Sequence, residues 1–200
     1  MYVSHELISM LTFCLAASIT PGPNTLMLMT SSLNHGVARS WPHFWGVILG
    51  FNFMLATIAL GLGAVFTAYP MAHQIIKILG GAYLLYLAWK IATSSGLNEE
   101  KSRSEPLTFW QAVLFQWLNP KAWIISIGAV ASFTQVGDFI AQFLRLLVVF
   151  FTIGTASMLV WLFFGALLNR LIHNDRVLKR FNIAMGLLLA VSIVPMLGVV

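Results

Sequence analysis

Charge is what this chain lacks. Asp, Glu, Lys and Arg make up only 8% of its residues, against roughly 25% in a soluble domain. Hydrophobic residues make up 59% of the 200. Lipid is therefore the solvent for most of the chain, and a soluble globular domain is excluded. Cysteine is nearly absent too. Cys14 stands alone, so it forms no intrachain disulfide, and it reads as a small core or lipid-facing residue. The five histidines, at 5, 35, 43, 73 and 173, show no metal-ligand spacing. No metal or cofactor is expected.

Carboxylates are missing from the apolar runs. Glu6 and Asp138 fall at helix ends, and the other four acids fall in loops. No Ser/His pair or carboxylate pair lies at membrane depth, so intramembrane hydrolysis has no nucleophile with its base. An enzyme is not expected. A basic n-region is also missing before the first run, where Glu6 is the clear charge, so that run is expected to persist as a helix and not as a cleaved signal.

Six long apolar runs are present: Leu7–Met29, Phe44–Ala68, Ile75–Ile91, Phe109–Phe133, Phe139–Leu168 and Phe181–Val200. A bilayer-crossing helix needs about 20 mostly apolar residues. Membrane β-strands would alternate over about ten residues, and these runs do not. The fold class expected is an all-α membrane protein of six transmembrane helices in one transporter domain, 1–200. Three helices fall in 1–91 and three in 109–200, with a polar, Ser-rich linker over 92–108. Three is odd, so the second triplet starts from the opposite face. If the halves share a fold, they are two inverted three-helix repeats, with the first and fourth helices broken.

Basic residues set the orientation. Arg39 follows the first run, Lys90, Lys101 and Arg103 the third, and Arg170, Arg176, Lys179 and Arg180 the fifth. The other side has Lys77 and Arg145. Basic loops stay cytoplasmic, so both termini are expected outside. Contact with anionic lipid accounts for these charges. They are not interleaved with aromatics on one face, so nucleic acid is not an expected partner.

Two runs are broken. The first helix carries Pro21-Gly22-Pro23-Asn24, and the fourth carries Asn119-Pro120-Lys121. Paired interruptions at corresponding places in two halves point to a transporter's binding site. Lys121 lies 12 residues past Phe109, or about 18 Å into a core about 30 Å thick. The first break lies near the middle from the other face. Proline removes a backbone donor and clashes with the carbonyl four residues back. The freed backbone groups survive in a membrane only where protein buries them or a cavity receives them. The half-helix that starts near Asn24 offers N–H groups and a positive dipole end to a carboxylate. A lysine at mid-depth costs about 2.5–3.5 kcal/mol to insert and marks a pathway. Lys121 is the first candidate to hold a carboxylate or carry a proton, and His43 is the second proton carrier. By its neighbours Trp41 and Trp45, His43 reads mainly as an interface residue.

Asn52, Gln116 and Ser126 read as interhelical hydrogen-bonding residues, with Gln116 close enough to the break to count as substrate-binding. Tyr83, Tyr86 and Trp89 form an interfacial belt, and Tyr83 is deep enough to line the cavity. Gly46 and Gly50 make a GxxxG pair, which fits helix packing and permits a homodimer.

The stretch TPGPN, followed by Gly36, Arg39 and GVILGF, resembles the opening of the lysine-exporter superfamily of LysE/RhtB type. GGAYLLYLAWK at Gly80–Lys90 resembles the end of its third helix, and LNPKAW at Leu118–Trp123 its second signature. The order of motifs and the helix count agree along the whole chain, although Ser40-Trp41-Pro42 stands where many members place small residues. The resemblance implies an inner-membrane exporter of amino acids or their derivatives, driven by the proton gradient. Pro21, Gly22, Pro23, Asn24, Asn119, Pro120 and Lys121 match its motifs. The lack of buried carboxylates favours neutral substrates. The alternative is a passive channel or structural membrane protein for small solutes.

Overall fold

The computed structural model describes residues 2–62, 70–93, 105–135, 138–172 and 174–191. Its described residues form seven α-helices and no strand. They are α1 (Tyr2–Ile19), α2 (Pro23–Thr57), α3 (Pro70–Thr93), α4 (Phe109–Leu118), α5 (Pro120–Phe133), α6 (Phe139–Leu171) and α7 (Asp175–Val191). A single π-turn, Ile58–Leu62, continues α2.

Two stretches, Pro23–Gly61 and Phe139–Leu171, are long and apolar enough to cross a membrane. The first of them folds back on itself. Gly36 has φ 79° and ψ 167°, a conformation glycine adopts without the Cβ penalty other residues meet. Leu28 and Phe44 pack in one buried cluster with Val47 and Ile48. On a straight helix, 16 residues would hold Leu28 and Phe44 about 24 Å apart. The Ser31 and Ser40 hydroxyls also meet, at 2.9 Å. So α2 is two arms, 23–35 and 37–57, joined by one residue.

Both expected breaks are present. At the first, α1 ends at Ile19 and α2 starts with Pro23 in its first turn, where a missing N–H costs nothing. The Gly22 N–H donates to Thr25 Oγ1 at 2.8 Å. At the second, Asn119 is extended, with φ −89° and ψ 107°, as the residue before a proline prefers. Its side chain accepts from the Lys121 N–H at 3.1 Å, which caps α5. The start of α4 is fixed by a reciprocal Thr108–Gln111 capping box.

Packing puts α2 at the centre. Its second arm lies on α4 so closely that a methyl group at Gly46 would collide with the Phe109 carbonyl, and one at Gly50 with Val113. The GxxxG face is thus consumed inside the chain. Gly165 of α6 meets the Met29 carbonyl in the same way. The helices α1 and α6 share a cluster that includes Met10, Cys14, Leu146 and Phe150. Leu84, Leu87 and Ala88 of α3 pack with Leu189 of α7.

Several boundaries move from those expected. Arg39 is already helical, because the turn before it needs only Gly36. The last helix starts at Asp175 and not Phe181. Its first turns expose Arg176, Lys179 and Arg180 and bury Leu178 and Asn182, and this charged outer face hid the helix from a count of apolar runs. The expected run to Ala68 and the final residues to Val200 extend past the described residues, as do Lys101 and Arg103 of the linker.

Candidate functional site

The two breaks meet in one chamber. Lys121, second residue of α5, lies across from Gly22 and donates from Nζ to the Thr20 carbonyl at 2.7 Å. That carbonyl belongs to the unwound turn, where the backbone would otherwise lack a donor. A Cβ at Gly22 would stand 2.8 Å from Lys121 Cδ and 3.1 Å from Nζ. The glycine is needed here for room, since its extended backbone would suit any residue.

Indoles satisfy two more freed carbonyls. Trp161 Nε1 donates to Ile19 O at 3.2 Å, and Trp123 Nε1 donates to Trp117 O at 2.9 Å. Each break is therefore repaired by a donor from packed protein, which is how non-helical backbone persists away from water.

A second bridge joins the half-helices. Asn24 Nδ2 donates to Gln116 Oε1 at 2.8 Å, and Gln116 Nε2 donates back to Asn24 Oδ1 at 3.2 Å. Gln116 Nε2 also reaches the Ala112 carbonyl at 2.9 Å. Gln116 is fully buried.

The chamber holds about 540 Å³ of space, its mouth included. Gly22, Asn24, Thr25, Asn119 and Lys121 contribute to its wall, and Phe51, Phe150 and Met158 supply apolar surface. Among the described residues, Lys121 is the one ionisable side chain on that wall, and no Asp or Glu lines it. The ammonium has three donors. One goes to Thr20, which leaves two for other partners.

Of the expected site residues, the structure brings Gly22, Asn24, Asn119 and Lys121 to the chamber. Pro23 is buried behind them, Pro120 half-buried, and Pro21 exposed. Gln116 stands behind the wall, paired with Asn24. Tyr83 lies elsewhere. It packs on Phe115 and Tyr86, with ring centroids 6.0 and 6.1 Å away.

Two residues read differently in three dimensions. Asn52 was expected to bond across helices. Its Nδ2 instead donates to Ile48 O of its own helix at 2.9 Å. Its Oδ1 is buried with no donor among the described residues, and Asn52 lines the chamber. Nothing in the sequence distinguishes it from any other helical asparagine. His43 was expected at the interface, but it is 1% exposed, while its neighbour Trp45 is 40% exposed. Two helical steps of about 100° each separate the exposed position from the buried one.

Comparison with known proteins completes the description. The family model described as "LysE type translocator" matches residues 15–197. Among curated proteins, the chain is similar to the cysteine/O-acetylserine efflux proteins of Escherichia coli (strain K12), Shigella sonnei (strain Ss046) and Shigella flexneri serotype 5b (strain 8401). Each is 31% identical over 185 residues, covering 89% of this chain and 90% of the relative. No solved structure matches.

Proposed function

Because the chain belongs to the LysE type translocator family, we propose that it is a secondary transporter exporting small neutral amino acids or their derivatives across the inner membrane. The family is one of translocators, not enzymes. The observation that carries the proposal is the Lys121–Thr20 contact, which opens both unwound turns onto one space.

The chemistry suits a zwitterion. The spare donors of Lys121 take a carboxylate, helped by the first-turn N–H groups of Asn24 and Thr25 and by the dipole of α2. Asn52 Oδ1, which has no donor among the described residues, accepts from an ammonium. The apolar wall of Phe51, Phe150 and Met158 takes a short side chain. A cationic side chain would find no carboxylate there, so lysine and arginine are disfavoured. The relatives are named for cysteine and O-acetylserine, both small and neutral, and these are the substrates proposed here.

Proton antiport is the proposed coupling, with Lys121 as carrier, since it is the ionisable group on the chamber wall. The proposed architecture is six spans, 2–35, 37–62, 70–93, 109–133, 139–171 and 175–191, in two inverted triplets. The shared form of the breaks supports it: an extended residue, proline in the first turn after it, and an indole closing a freed carbonyl. The proposed orientation puts the Gly36 end in the cytoplasm. Arg39 and Lys90 lie at that end, and Asn169–Leu33 and Asn34–Asn182 hydrogen bonds bring Arg170 and Arg180 there.

The test is uptake of labelled cysteine and O-acetylserine into inside-out vesicles, with and without an imposed pH gradient. Gradient-dependent uptake above that of vesicles lacking the protein is expected. Equal counts in both preparations for every amino acid tried would remove the exporter assignment.

A further inference from the structure

A second cavity lies on the same helical arm. Asn24 and Thr25 line the first chamber, whereas Met27 and Thr30 line the second. At 1.5 Å per residue, Thr30 stands only about 9 Å along the helix from Asn24. The second cavity holds about 450 Å³, its mouth included, and sits at the Gly36 end. The arm 23–35, the start of the arm 37–57, the end of α3 and the approach to α4 enclose it.

Its wall differs in kind from the first. It carries Lys90 and Glu105, charges of opposite sign, together with His35, Ser31 and Thr30. Lys90 Nζ sits 5.9 Å from the centre of the Tyr86 ring and makes no ion pair among the described residues. His43 is the sharpest feature. It lines this cavity and is 1% exposed, yet neither ring nitrogen meets a hydrogen-bond partner among the described residues. Buried polar groups are almost always paired, and an unpaired one costs stability. A neutral imidazole holds one donor and one acceptor, so a ligand with a short polar group would satisfy both.

We infer that this cavity is a second amino-acid site, taking a zwitterion with a short polar side chain at the end where export begins. Lys90 receives the carboxylate, Glu105 the ammonium, and His43 the polar group of the side chain. The inference rests on the exporter function and the orientation proposed above, and adds to them a place where the substrate is selected before it reaches Lys121. Apolar amino acids of equal size leave His43 unmet and are disfavoured here, although the wall of the first chamber would accept them.

The experiment uses inside-out vesicles holding the full chain, with O-acetyl-L-serine added outside, where the cytoplasmic face is. His43→Leu is expected to raise KM about tenfold with kcat within about twofold, the signature of lost uniform binding. His43→Gln keeps a donor and an acceptor and is expected to bring KM back to within about threefold of the parent. If His43→Leu does not reach the membrane, Glu105→Gln at the exposed rim serves instead, and a rise in KM is expected there too. Unchanged KM in the variant measured, with transport intact, overturns the second site and leaves the exporter standing. Failure of the parent protein to transport any amino acid overturns both.

Discussion

The first break and the second solve one problem with different means. Both end a helix, extend a residue and restart on proline. At the first, the extended residue is Gly22, which offers bare backbone and room that the Lys121 side chain fills. At the second it is Asn119, which caps its own helix through its side chain. The residue after the proline differs as well: a neutral amide, Asn24, against a cation, Lys121. The second break is self-sufficient and supplies charge. The first is incomplete, and among the described residues its Thr20 carbonyl takes a hydrogen bond from Lys121 across the break. The pocket is thus an exchange between unequal partners, and its two halves are not interchangeable copies.

The largest test of that inequality removes the charge. Lys121→Met keeps the stem and loses every donor. Transport of O-acetylserine should fall about 100-fold or more, the effect of losing a charge-assisted contact to the substrate. The matched change Asn24→Ala should cost about tenfold, since it removes neutral hydrogen bonds only. Initial rates at equal membrane levels measure both. Equal losses would make the two breaks equivalent and break the comparison.

Space comes next. Gly22→Ala places a methyl 2.8 Å from Lys121 Cδ and should push the ammonium off Thr20. A drop of about tenfold in transport is expected, with little change in thermal stability, because the extended backbone itself tolerates alanine. At the other break, Asn119→Ala should act the opposite way. It deletes a helix cap worth about 1 kcal/mol and should lower the unfolding temperature in detergent, while Asn119→Ser restores most of it. The smallest effect on transport belongs to the indoles, whose loss is read in stability alone. Trp161→Phe leaves Ile19 O unpaired and should destabilise by about 1–3 kcal/mol, with Trp123→Phe similar at Trp117 O. Thermal unfolding of the purified protein reads both.

What the sequence revealed of this arrangement was its punctuation. Pro21-Gly22-Pro23 and Asn119-Pro120 interrupt apolar runs, and both interruptions are present. Contact between them was reached by counting residues from opposite faces, and Lys121 on Thr20 is that contact. Other features left no mark in the pattern. Protein-facing and lipid-facing residues are equally apolar in a membrane, so burial of His43 beside exposed Trp45 was invisible. The same ambiguity left Tyr83 among chamber candidates when it packs on Phe115. Gly46 and Gly50 suggested a close helix neighbour but not which one, and the neighbour is α4 of the same chain. The role of Asn52 needed coordinates, because only they show which of its two amide atoms is paired.

Gly36 carries a mechanical consequence. A hairpin hinged on one residue has no slack, so neither arm can slide lengthwise past the other. Ser31 and Ser40 fasten the arms further, just inside the bend. Large rearrangements in this region are therefore restricted to swinging both rods together as a stiff V, with flexing concentrated at Thr20–Gly22 on one limb and at the π-turn on the other.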